Sequence, residues 1–160
     1  MRRWFPVLFL PALLAGGPVR AEVSPPLAAA FCAGELWTVG ERPWLRLTPA
    51  MTDDQIIEYS RWAMAFGTAV QQHTRMMAQA AATPDDQIAA AFEAGALVFG
   101  PPAELSTAFD ARPFHDLILA CQDLVMAIFE HAQSQQGQGK IDDALARSAR
   151  WMREHGIDPT

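Results

Sequence analysis

The chain has 160 residues, 51% of them hydrophobic and 19% charged, with a formal net charge of −6. That balance excludes a disordered chain, which combines low hydrophobicity with high charge. The excess of Asp and Glu over Lys and Arg, 18 against 12, also excludes a nucleic-acid binder that works through a basic face.

Met1 to Ala21 reads as a secretory signal peptide. Arg2 and Arg3 supply the positive start, Trp4 to Ala15 the apolar run, Gly16-Gly17-Pro18 the break and Val19-Arg20-Ala21 the cleavage region. The run of 12 residues is shorter than the ~20 that a transmembrane helix needs. No stable membrane insertion is therefore expected after cleavage, and a periplasmic or secreted location is. Cleavage at Ala21 would leave residues 22–160 as one helical domain. It would carry nine Lys and Arg against 18 Asp and Glu, a net charge of −9. Such a chain is repelled by phosphates and anionic lipid head groups. It favours basic partners through a weak attraction that salt screens.

Two cysteines remain, Cys32 and Cys121. In an exported protein an even count points to a structural disulfide. Neither cysteine has the Cys-x-x-Cys neighbour of a redox site or the Cys-x-x-Cys-His of c-type haem attachment.

The helical period dominates, Ala is abundant, and no repeat of 20–50 residues is present. The first helix is expected to start at Pro25-Pro26 with Ser24 as cap, and to run along Leu27, Ala30, Phe31, Gly34 and Trp37. Thr38 to Met51, with Gly40, Pro43 and Pro49, reads as a loop. Thr52 with Gln55 forms a capping box for the second helix. Its stripe is Ile56, Tyr59, Ala63, Phe66, Val70, His73 and Met77, widened by Trp62, Ala69 and Met76, and it ends near Ala82. Thr83-Pro84 repeats the start signal for a third helix carrying Ile88, Ala91, Phe92, Gly95 and Val98, which Gly100-Pro101-Pro102 stops. A short turn is expected around Glu104 to Phe109. The fourth helix begins near Pro113 and packs Phe114, Leu117, Cys121, Leu124 and Ile128. Gln133 to Gly139 reads as a frayed end and linker. The last helix, Lys140 to His155, carries Ile141, Leu145, Ser148 and Met152, with Gly156 as its stop. The expected fold is all-α: a bundle of four to five amphipathic helices, with Cys32 tying the first helix to the fourth.

Candidate chemistry is sparse. His73, Met76 and Met77 share one helix face, and imidazole with thioethers suits copper(I). Packing is the simpler role for His and Met on an apolar stripe. His131 continues the spacing 121, 124, 128 and could ligate a haem inside a bundle, or sit at a helix end against the dipole. His115-Asp116 and Glu130-His131 are adjacent and so point about 100° apart on a helix, which is poor geometry for acid–base work. Asp53-Asp54, Asp85-Asp86 and Asp142-Asp143 each fall in an expected first turn, where the dipole explains them. No phosphate-binding, zinc-protease, EF-hand or hydrolase-elbow pattern occurs. Of Trp37, Trp44, Trp62 and Trp151, Trp44 in the Pro-rich loop is the candidate for an exposed binding anchor.

Size, export and a single cystine are the format of small envelope chaperones and of immunity proteins, with no motif behind the likeness. The expectation is an exported, non-enzymatic protein with no cofactor that binds another protein in an accessory, chaperone-like or immunity-like role. The alternatives are a copper(I)- or haem-binding bundle, and an enzyme without a readable motif.

Overall fold

The computed structural model describes residues 22–42, 51–100 and 110–158. Among them the chain forms five α-helices and no strand. These are α1 (Pro25–Glu41), α2 (Asp53–Ala81), α3 (Asp85–Ala96), α4 (His115–Ser134) and α5 (Gln138–Glu154), and a 3₁₀ turn at Arg112–Phe114 leads into α4. The expected all-α bundle is therefore what forms. The expected signal peptide, the loop with Trp44 and the short turn at 104–109 lie outside the described residues. None of the described helices is long and apolar enough to cross a membrane.

The first helix departs from the pattern expected of it. α1 runs four residues further than Trp37, to Glu41, and nearly all of it is buried. Its flanks are covered by α2 and α3, with α5 and α4 closing round it. A helix made of Ala, Gly, Leu and Phe on every side has no polar face to present, so it belongs in the centre of a bundle. The other helices are amphipathic and wrap it.

Helix ends follow local chemistry where a side chain can reach a free N–H. The Thr52 hydroxyl accepts from the Gln55 backbone N–H while the Gln55 side chain accepts from the Thr52 N–H, the predicted box. Asp53-Asp54 and Asp85-Asp86 lie in first turns as expected. Three expectations are corrected. Ser24 sits at the α1 N-cap but makes no side-chain cap bond. Pro84, not Thr83, is the N-cap of α3. α5 starts at Gln138 rather than Lys140, which moves Asp142 and Asp143 beyond the first turn. There Asp142 accepts from Gln138 and Asp143 from Arg147. The linker shrinks to residues 135–137, reversing through Gln135 and Gly137 at positive φ. The last helix closes as predicted. Gly156 at φ 71° lets its N–H reach Arg153 O and the Ile157 N–H reach Met152 O, a Schellman stop.

The core gathers Phe31 and Leu36 from α1, Leu117 and Leu124 from α4, and Ile141 and Met152 from α5, all fully buried. Trp151 lies between Phe31 and Phe114, with ring centroids 6.2 and 6.1 Å away. The Cys32–Cys121 disulfide joins α1 to α4 across this core, with an S–S distance of 2.04 Å.

α1 and α3 meet through glycine. The segments Ala28–Leu36 and Ala89–Leu97 share the pattern Ala-Ala-Ala-Phe-x-Ala-Gly-x-Leu. The two copies contact one another reciprocally. A Cβ on Gly34 would stand 2.0 Å from Phe92 O, and one on Gly95 would stand 2.0 Å from Phe31 O. Both obstacles are backbone, so no side chain can swing aside. Gly34→Ala and Gly95→Ala are each expected to destabilise the fold by about 1–3 kcal/mol despite alanine's better helix propensity. Gly139→Ala in α5, whose Cβ would meet nothing within 4 Å, is expected to stabilise by up to about 1 kcal/mol. Urea melts of the three variants check the opposite signs, and a Gly95→Ala variant as stable as the parent would contradict the close crossing.

Candidate functional site

The predicted metal set does not converge as a set. His73 is half-buried on α2, and Met77 lies one turn further on the same side. Met76 is 56% exposed and turns outward. Burial lowers the pKa of His73 below the ordinary histidine value, and the neighbouring charge of His131 lowers it further. The His73 Nε2 is buried with no hydrogen-bond partner. His131, expected to point inward, is half-buried at the end of α4. Its Nδ1 lies 3.1 Å from Gln136 O. Among the described residues no three His, Cys, Asp or Glu side chains come together as a metal-holding group. The adjacent pairs do not act as pairs either. His115 and Asp116 are exposed, and Glu130 is held by Lys140 at 2.6 Å.

A polar centre that the residue pattern did not flag lies at Glu35. Its side chain is enclosed by α1 and its neighbours at 1% exposure, and its Oε2 has no hydrogen-bond partner. Burial alone pushes its carboxyl up to about 8, so it is neutral at pH 7. Tyr59 on α2 senses it. Burial, then the Glu35 charge, drives the phenol up to about 12, against the hydrogen bond from Gln122. That bond runs from the Gln122 amide of α4 to the Tyr59 oxygen. The available signal was compositional: Glu35 is the sole charged residue between Pro25 and Gly40.

Tyr59 also begins an aromatic ladder. Tyr59 stacks on Trp62 at 5.5 Å, Trp62 meets Phe66 at 4.2 Å, and Phe66 meets Phe129 of α4 edge-on at 4.8 Å. The Tyr59–Gln122 and Phe66–Phe129 pairs each join residues 63 apart. These two side-chain contacts join α2 to α4. Outside this seam the apolar surface continues. Leu119, Met126 and Phe129 of α4 are 40%, 58% and 37% exposed, on the side of the helix away from Leu117, Cys121 and Leu124. Trp62 is half-buried beside them, Trp37 is half-buried on α1, and Trp151 is in the core.

A groove of about 810 Å³ opens between α2 and α3 over the floor of α1, lined by Ala30, Ala33, Thr74, Arg75, Ile88 and Phe92 among others. Its volume suits a small ligand. Its buried hydroxyl, Thr74, donates to Val70 O at 2.8 Å, and Gln71, Gln79, Thr83 and Asp85 add polar side chains to its lining. No family model, curated protein or solved structure matches this chain.

Proposed function

We propose that the chain is an exported, non-enzymatic accessory protein that holds another protein through the apolar face shared by α2 and α4. The observation supporting this reading is the second apolar side of α4. One side of the helix fills the core, and the other leaves Leu119, Met126 and Phe129 in solvent. A soluble amphipathic helix has a polar outer face, and clustered exposed apolar groups signal a contact surface. Aromatic and methionine side chains are the types that anchor such contacts. Export rests on the sequence of residues 1–21, and the resulting charge of −9 favours a partner whose apolar segment is flanked by Lys or Arg. Chaperone-like and immunity-like roles both take this form.

The test compares capture from an envelope extract by the parent chain and by Met126→Glu. Met126 is exposed, so the variant is expected to keep its melting temperature. It is expected to lose partner affinity by about tenfold or more, the effect of removing one hot-spot residue. Equal recovery of the same partner by both proteins would overturn the reading.

A further inference from the structure

The groove between α2 and α3 carries polar groups that nothing in the fold uses. Its floor and walls are small and apolar: Ala30 and Ala33 of α1, Ala78 of α2, and Ile88, Ala89 and Phe92 of α3. Alanines facing one space from three helices leave room that longer side chains would fill. The walls are fixed by backbone. The reciprocal approach of Gly34 and Gly95 holds α3 on α1, and the turn Ala82-Thr83-Pro84, also part of the lining, joins α2 to α3. Two opposite charges face this space. Arg75 of α2 and Asp85, the first residue of α3, both line it. Among the described residues neither has a hydrogen-bond or ion-pair partner. They do not pair with one another, so each is open to a ligand. Arg75 precedes Ala81, the end of α2, by a rise of about 9 Å, and Asp85 lies beyond the turn that follows. The side chains of Gln71, Gln79 and Thr83 on the same lining add amide and hydroxyl groups.

We propose that this groove binds a short apolar peptide with free ends, about three residues long, since three extended residues span about 10 Å. The peptide carboxylate meets Arg75, whose guanidinium can hold it through two parallel N–H···O bonds. The peptide ammonium meets Asp85. Its apolar side chains cover Ala30, Ala33 and Phe92, and its amide groups meet Gln71 and Gln79. A volume of about 810 Å³ lies within the range of small-ligand sites. Ligands with a single charge fit less well. An apolar acid would bring its carboxylate into a groove with the Asp85 carboxylate unanswered, and an apolar amine would leave Arg75 unanswered. The site is built from α1, α2 and α3 and does not depend on the α4 face.

The experiment titrates trileucine into the protein, measures affinity by calorimetry and follows alanine and methionine methyl signals by NMR. The expected result is saturable binding of one peptide per chain, with shifts at Ala30, Ala33 and Ala78 and none at Met126. N-acetyl-trileucine and trileucine amide each lack one charge. Each is expected to bind about three- to tenfold more weakly, the effect of losing one charged hydrogen bond at an exposed site. Two variants separate the ends. Arg75→Gln weakens trileucine by the same factor and leaves the affinity for the amide unchanged. Asp85→Asn weakens trileucine likewise and leaves the affinity for the acetylated peptide unchanged. Ala89→Phe, which fills the groove from an exposed position, removes binding. The NMR arm and the three peptides use the unaltered protein, so they decide even if a variant fails to fold. Absence of saturable binding, equal affinity for the three peptides, or shifts at Met126 in place of the alanines would overturn the proposal.

Discussion

Removing the Cys32–Cys121 bridge is expected to lower the stability of the fold by about 4–5 kcal/mol, the loop-closure entropy for a loop of this length. The two residues are separated by 89 positions, so the bridge restrains most of the unfolded chain. Its place in the structure adds to the effect. α4 packs chiefly on α5, and α2 and α3 pack on α1, so the bridge fastens the two groups of helices together. Both cysteines have zero exposure, and reductant should act only after the core opens. The check is a thermal melt of the oxidised chain against Cys32→Ala/Cys121→Ala. The variant should melt more than about 10 °C lower. Equal melting temperatures would contradict the bridge's role.

Stability is also expected to fall as pH rises from about 4.5 to about 8, because of Glu35. Its carboxyl is raised from 4.5 to about 8 in the folded protein. Over that interval the unfolded chain has released the proton and the folded chain still holds it, so raising the pH favours unfolding. Each pH unit withdraws about 1.4 kcal/mol. The total across the window is about 4–5 kcal/mol, and above pH 8 the loss is complete. Glu35→Gln keeps the shape and cannot ionise. The difference between variant and parent isolates this one group from every other titrating residue. The variant's advantage should be smallest near pH 4.5 and should grow steadily toward pH 8. A difference independent of pH would show that Glu35 is not held neutral in the fold.

Most of the architecture is legible in the sequence because it rests on local chemistry. The Thr52–Gln55 box, the stripe through Ile56, Ala63 and Val70, the seam at Leu117, Cys121 and Leu124, and the stop at Gly156 each need only near neighbours. What was not legible depends on placement in three dimensions. α1 is apolar on every side in the sequence, but the stripe through Leu27, Ala30, Phe31, Gly34 and Trp37 does not include Glu35, and only packing shows that its carboxyl is enclosed without a partner. The matching segments around Gly34 and Gly95 lie 61 residues apart, beyond the spacing of solenoid repeats, and their reciprocal contact appears only when α1 and α3 cross. The expected metal set is legible only in part. His73 and Met77 share a helix face in the sequence, and both are half-buried in the structure. Met76, one residue from Met77, points about 100° away from it and faces solvent.

The account turns on the outer face of α4 as a contact surface, and photocrosslinking in intact cells tests it most directly. A photoreactive side chain is placed at position 126 on α4 and, as a control, at the exposed position 90 on α3, a helix that packs on α1. The account predicts a crosslink from position 126 to one defined second protein, weakened by raised salt and absent from position 90. The purified partner should bind the parent chain and not Met126→Glu. Crosslinks only to copies of this chain, equal crosslinking from both positions, or none from position 126 would contradict it.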